Sequence, residues 1–222
     1  RGMKFVSSPA CPGCLAPLAV FYTLVSGLDG LTIRRGVCEL CGYIGYMEKP
    51  GREWFDRFYE EEWDNAAWRN LEREFASPAG PIPESMRAVV LQAHALGLDP
   101  AKTICDIGCG TGDAMAEFER LGYARVVGVE SSRHRSEFAR RKYGYPVFTG
   151  SFENAAVRRR LDRERPIQLL FSFHVLEHVF DPREFIQAAA ALQEENDFLF
   201  LVTPDAMDQS LLALLFWLPH LH

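Results

Sequence analysis

The sequence lacks the features that mark a membrane or secreted protein. Arg1 to Ala10 has no apolar core of the kind a secretory leader carries. The apolar run near the end, Leu211–Leu218, is far shorter than the roughly 20 residues needed to cross a bilayer. A positive surplus is also missing: 24 Lys and Arg stand against 30 Asp and Glu, a formal net charge of -6. That balance argues against a duplex nucleic-acid partner, which favours a basic face. There is no internal repeat and no low-complexity tract. A soluble, cytoplasmic globular chain with no membrane partner is therefore expected. Its 222 residues suffice for one α/β domain plus a small appendage. The opening Arg1-Gly2-Met3 is expected of a trimmed or tagged start.

Helix signals are scarce over residues 1–50. Prolines, glycines and short β-prone runs such as Val20-Phe21-Tyr22 predict short strands and knuckle turns. Four of the six cysteines fall here as two pairs, Cys11/Cys14 and Cys38/Cys41. In a cytosolic chain, paired C-x-x-C units point to a metal before a disulfide. Each pair can sit on a knuckle, with Gly13 and Gly42 permitting the turn. Four sulfurs with no open position favour structural zinc over catalytic zinc. A module of this size has little core, so the metal would supply much of its folding energy. Only Arg34 and Arg35 are basic in the intervening loop, which favours a scaffold that shapes or covers a substrate cleft over a nucleic-acid ribbon.

Residues 51–99 form the expected second part, a helical linker or cap. Trp54, Phe55, Phe58, Tyr59, Trp63, Ala67, Trp68, Leu71 and Phe75 recur at three- and four-residue steps with acids between, an amphipathic pattern. Its aromatic face reads as packing surface, with Tyr59 a candidate for the acceptor pocket. Residues 77–83 read as a linker, and Glu84–Leu96 as a helix stopped by Gly97.

From residue 100 the third part begins, running to 222. Strands at Lys102–Ile107, Arg125–Glu130, Tyr145–Thr149, Ile167–Phe173 and Asp197–Thr203 alternate with helices at Gly112–Leu121, Arg133–Lys142 and Phe152–Leu161 and one opened by Asp181-Pro182. Asp caps that last helix and Pro fits its first turn. The alternation predicts the α/β class with a doubly wound, Rossmann-like parallel sheet.

The first strand runs into Asp106-Ile107-Gly108-Cys109-Gly110-Thr111-Gly112. Glycine at every second position lets the backbone turn and approach a ligand. The spacing differs from the G-x-G-x-x-G that aims a helix at a pyrophosphate. An acid at 106 suits a cationic ligand and is a poor neighbour for phosphate. Glu130, twenty residues after Gly110, ends the next strand and can accept from both hydroxyls of a ribose.

With these motifs, residues 102–205 resemble the class I S-adenosylmethionine (SAM)-dependent methyltransferase family. Val129-Glu130-Ser131 is similar to the family's ribose site, Gly150-Ser151-Phe152-Glu153 to its adenine site, and the stretch from Phe173 to Pro182 to the segment beside the methionine end and the substrate. The resemblance implies a SAM-binding shell of Asp106, Gly108, Cys109, Gly110, Glu130, Ser131, Ser151, Phe152, Phe173 and His174. Cys109 is expected as a small residue in a tight turn, not a reactive thiol. The family's sheet has seven strands. Here only a helix over Asp208–Leu218 fits after Pro204, so the C-terminal strands are expected to be missing, with either the chain truncated or the sheet edge finished otherwise. The order of zinc module, aromatic helix and Glu177-His178 is similar to small-molecule and sugar C-methyltransferases.

A hydroxyl or carbon acceptor must lose a proton during transfer, and histidine suits that role. His174 and His178 flank Glu177, and helical spacing would put the two histidines on one face. These three are the catalytic candidates, with Glu177 the orienting partner. The acceptor is expected to be a small molecule or sugar. The alternatives are an RNA or protein methyltransferase docking through the zinc module, and a non-catalytic zinc module on a degenerate scaffold. The basic run from Arg158 to Arg165 reads as a solvated face.

Overall fold

The computed structural model describes residues 5–25, 32–62 and 82–204. Trp63, Trp68, Leu71 and Phe75 of the aromatic stretch, linker residues 77–81, the expected helix Asp208–Leu218, and His220 and His222 lie outside the described residues. The described residues fall into two compact units, one built on Ser7–Lys49 and one on Pro50–Val202.

The smaller unit lies between two three-residue strands, β1 (Phe5–Ser7) and β5 (Glu48–Pro50). Its centre is an antiparallel sheet of β2 (Ala19–Val25), β3 (Thr32–Val37) and β4 (Ile44–Tyr46). The core is small: Cys11, Leu18, Cys38 and Met47 are its buried members. So little apolar surface stabilises a fold weakly.

The larger unit carries a five-stranded parallel sheet. Its strands are β6 (Thr103–Ile107), β7 (Val126–Glu130), β8 (Val147–Thr149), β9 (Ile167–Phe173) and β10 (Phe198–Val202). Their order is β10-β9-β6-β7-β8, and every pairing is parallel. The chain starts at the centre, winds out to β8, then returns across β6 to β9. This reversal between β6 and β9 is a topological switch point, where doubly wound sheets open a ligand crevice at the carboxyl ends.

Alternation along the strands explains the layers. Ile104, Val126, Leu169 and Phe171 belong to one buried face. Cys105, Ile107, Val127, Val129 and Leu170 belong to the other. With both faces apolar, helices must cover both. The first is covered by α2 (Glu84–His94), α3 (Asp113–Arg120) and α4 (Arg133–Tyr143), through Val90, Ala93, Met115, Phe118 and Ala139. The second is covered by α5 (Ala155–Leu161) and α6 (Pro182–Leu192), through Val157, Leu161, Phe185 and Leu192.

Local chemistry sets the helix starts. Asp181 accepts from the amides of Arg183 at 2.9 Å and Glu184 at 3.3 Å, with Pro182 in the first turn, as the sequence predicts. Helix α5 starts later than its expected Phe152. Asn154 caps it by accepting from the Ala156 amide at 2.8 Å, which leaves Ser151, Phe152 and Glu153 in a loop. The aromatic stretch is also broken. Helix α1 (Arg52–Arg57) passes into a π-helical turn at Phe58–Glu62, and α1 buries none of its residues. Among the described residues no helix is long and apolar enough to cross a membrane.

Gly128 in the middle of β7 allows the tight approach of the loop after β6. A Cβ there would lie 2.6 Å from Cys109 Sγ and 2.9 Å from Met115 Sδ. Gly128→Ala is expected to cost roughly 1–3 kcal/mol by overpacking, and Cys109→Ala in the same chain should recover part of it. Urea midpoints of the two variants check this; an unchanged midpoint in Gly128→Ala would refute the packing assignment.

Candidate functional site

The loops that leave the carboxyl ends of β6, β7, β8 and β9 surround a cleft of about 240 Å³, and α1 with its π-helical turn supplies the remaining wall. Gly108 opens the first loop with φ +74°, a left-handed conformation, and a Cβ on it would lie 2.2 Å from Val175 Cγ2. Only glycine satisfies both the torsion and the contact. The second loop is joined to the first by Glu130, whose carboxylate accepts from the Gly110 amide at 2.8 Å and the Ser132 amide at 2.7 Å.

Six of the ten residues expected to hold a cofactor border this cleft: Gly108, Glu130, Ser131, Ser151, Phe152 and His174. Asp106, Cys109, Gly110 and Phe173 do not. Cys109 is drawn into the first core face and Phe173 packs against it. Burial pushes the Cys109 thiol well up, in keeping with an unreactive small residue. Asp106 is buried beside them. Desolvation, reinforced by the charges of Glu130 and Asp113, pushes its carboxyl up to about 8.

Of the three catalytic candidates, His174 and His178 border the cleft and Glu177 does not. The two histidines do not share a helical face, because the segment is a 3₁₀ turn over Leu176–His178 and His174 precedes it with φ +56°. Glu177 instead meets His174 across the bend before the turn, with Nδ1 to Oε1 at 3.1 Å. His178 finds a different partner, the hydroxyl of Tyr59 at 3.2 Å from Nδ1. Burial pushes Tyr59 up to about 12, with the nearby Glu177 charge adding to it. Burial holds His178 below its ordinary value, although Glu177 pulls the other way. A left-handed non-glycine residue such as His174 stores strain, a feature that gathers at working sites.

The cleft also contains residues the sequence did not single out: Asp56, Glu60, Arg135 and Asn154. In the sequence Asp56 and Glu60 are two of the acids that lie between the aromatic positions. Hydrophobic periodicity marks the face that packs and is silent about what the polar face meets. Their spacing of four residues was the available signal, since it puts both on one side of a helix.

The smaller unit holds a second candidate site. Cys11, Cys14, Cys38 and Cys41 bring their sulfurs within 4.8 Å of one another. Two matching turns do this. Cys11 N–H donates to Ala16 O at 2.8 Å and Leu15 N–H to Cys11 O at 2.9 Å. Cys38 N–H likewise donates to Tyr43 O at 2.8 Å and Gly42 N–H to Cys38 O at 2.9 Å. The left-handed residues are Gly42 at φ +76° and, in the first turn, Leu15 at φ +67°. Gly13 was expected to serve there, but the reversal falls four residues after the first cysteine of each pair. The Cys41 and Leu40 amides aim at Cys38 Sγ, with Cys41's the larger effect, and bring that thiol down to about 7.

A doubly wound parallel sheet with a glycine loop after its central strand and an acid ending the next is the arrangement of class I SAM-dependent methyltransferases. The chain belongs to the methyltransferase-domain family, whose match spans residues 55–222. It is 28% identical over 102 residues to the ubiquinone biosynthesis O-methyltransferase of Caulobacter vibrioides, covering 46% of this chain and 40% of that protein. It is 31% identical over 98 residues to the protein of the same name from Rhodopseudomonas palustris, covering 44% and 38%. The chain thus spans about two fifths of the length of the curated relatives it matches. The solved structure of magnesium protoporphyrin IX methyltransferase from Synechocystis PCC 6803 with bound SAM is similar with a TM-score of 0.45 at 20% identity, over 64% of this chain and 71% of that one.

The His178 shift has a measurable consequence. Its folded value lies below the ordinary 6.5, so protonation favours the unfolded chain. The contribution to stability is full above pH 6.5, declines as pH falls toward the folded value, and levels off below it. An NMR titration of the His178 ring is expected to give a midpoint below 6.5; one at or above it would contradict the burial argument.

Proposed function

We propose that this chain is a SAM-dependent methyltransferase acting on a small molecule, with a hydroxyl-bearing or sugar acceptor as the finer form. The observation that carries this is the pinned Glu130 carboxylate at the end of β7, bordering the cleft beside the glycine loop after β6. The donor set fits the cofactor. Glu130 suits the ribose diol, and Ser151 and Phe152 suit the adenine ring. The acids Asp56 and Glu60 suit a cation and would repel a pyrophosphate. SAM, when bound, supplies an electrophilic methyl group on a sulfonium.

The chain's own residues position and deprotonate the acceptor. His178 is the assigned base, since a ring held below its ordinary value stays neutral near pH 7. Its neighbour Tyr59, pushed up to about 12, keeps its proton and fixes the ring orientation. Glu177 orients His174 in the same way from the other side. Asp106 is assigned to the cation's neighbourhood; a bound positive charge would draw its carboxyl back down.

Isothermal titration tests the reading. Wild-type protein is expected to bind SAM, and Glu130→Ala to weaken binding by roughly 10- to 100-fold, the worth of hydrogen bonds to a charged group. Undiminished binding in Glu130→Ala would remove Glu130 from the site, and no binding by the wild type would remove the function.

The cysteine quartet is assigned to structural zinc. Tetrahedral zinc with Zn–S near 2.3 Å needs sulfurs about 3.8 Å apart. Cys11 and Cys41 are 3.5 Å apart and Cys14 and Cys38 are 3.3 Å apart, so the cage is slightly tight but of the right size. Six free thiols also suit a reducing, cytoplasmic setting. The division into a module over 1–50, a cap over 51–99 and a sheet domain from 100 belongs to the same proposal. Elemental analysis is expected to find one zinc per chain and to lose it in a Cys11→Ser/Cys38→Ser variant; iron, or no metal, in the wild type would reject the assignment.

A further inference from the structure

The wall formed by α1 is unusual in how it is held. Helix α1 buries none of its residues, yet α1 and its π-helical turn bring Phe55, Asp56, Tyr59 and Glu60 to the cleft. Half-buried residues and side-chain contacts, not a fully buried core face, hold this segment, among them the Phe55–Phe180 ring contact and the Arg133–Glu60 ion pair. The strongest cluster of ties converges on Arg52. Its guanidinium pairs with Glu184, lies 4.4 Å from the Phe180 ring centroid, and stands 3.6 Å from Glu153 Oε1.

Glu153 is the central member. Its side chain is 3% exposed. Oε1 accepts from the Asp181 amide at 3.0 Å and Oε2 from the Phe180 amide at 3.2 Å. One buried carboxylate thus joins three segments: the loop 150–154 after β8, the start of α6, and α1. Burial pushes this carboxyl up, while the Asp181 amide and then the Arg52 charge pull it down. Ionised Glu153 is therefore held first by the Asp181 amide and then by Arg52. The present 3.6 Å separation is longer than the roughly 2.7–2.9 Å of a charge-assisted hydrogen bond. The pair is thus in ion-pair range without a direct hydrogen bond.

We infer that Glu153 and Arg52 form a latch that couples the adenine side of the cleft to its acceptor side. A cofactor seated against loop 150–154 draws the pair together and closes α1 over the acceptor. Both are positioning residues; neither needs to touch the reacting atoms. The latch rests on the SAM reading above, because it requires a ligand beside Ser151 and Phe152.

Hydrogen exchange of the amides of residues 53–59, with and without saturating S-adenosylhomocysteine, tests it, and titration of the same ligand runs in parallel. In the wild type the ligand is expected to slow exchange by roughly tenfold or more, the signature of a local opening that binding suppresses. In Arg52→Met the ligand still binds but slows exchange by less than about twofold, and Arg52→Lys restores part of the effect; Glu153→Gln, compared at its own saturating ligand concentration, loses the same protection. A purely structural role would speed exchange equally in both states and keep the ligand's effect, which would overturn the latch. So would binding to the wild type without protection of residues 53–59. No binding to the wild type would instead overturn the cofactor reading, and the latch with it. Arg52 is partly exposed, so Arg52→Met carries the comparison if Glu153→Gln does not fold.

Discussion

Glu130 accepts hydrogen bonds from two backbone amides, one of them twenty residues earlier in the chain. That pair of bonds is what turns separate loops into one rim. It is possible because β6 and β7 are parallel neighbours with Asp106 opposite Gly128, so the ends of the two strands lie side by side. It also requires the loop after β6 to fold inward, which Gly128 permits by having no side chain where Cys109 packs. An anionic acceptor gripped by amides is stronger and better oriented than one held by neutral groups. The cleft floor is consequently in place before any ligand arrives, and less ordering has to accompany binding.

Around that fixed floor the charge is unbalanced. Asp56, Glu60, Glu130 and Glu153 face a cleft with one arginine, Arg135, and two histidines. Asp106 is close enough to feel Glu130 and sits at about 8. The excess is tempered by partners, since Glu60 pairs with Arg133 and Glu130 accepts from two amides, and it favours a cation over an anion. The floor and the wall then differ in kind. The floor is backbone and buried carboxylate, whereas the α1 wall is held by ion pairs and stacked rings.

The sheet was legible because both of its faces are buried and the strand segments are correspondingly apolar. Ile167–Phe173 matches its expected bounds. The Asp181-Pro182 helix start, the glycine loop and the cysteine quartet were legible because each is a local device with its chemistry in adjacent residues. What escaped was tertiary. Nothing near His178 in the sequence points to Tyr59, 119 positions earlier, and nothing near Arg52 points to Glu153 or Glu184. The three- and four-residue spacing of the aromatic stretch fits one helix or two, and it does not mark where α1 gives way to the π-helical turn. Gly13 drew the left-handed role away from Leu15 because glycine is the usual occupant, but the hydrogen-bond pattern fixes the reversal by position and not by residue type.

That last substitution makes the two cysteine turns unequal partners. They share one pattern of backbone bonds, but one has glycine at its reversal and the other an exposed leucine whose side chain gains nothing from the conformation. A left-handed non-glycine residue costs about 1–2 kcal/mol, and in so small a core only the sulfur cage can offset it. The Cys11 turn is therefore the more strained of the two, and a glycine at position 15 would relieve it, whereas the Cys38 turn has nothing to relieve.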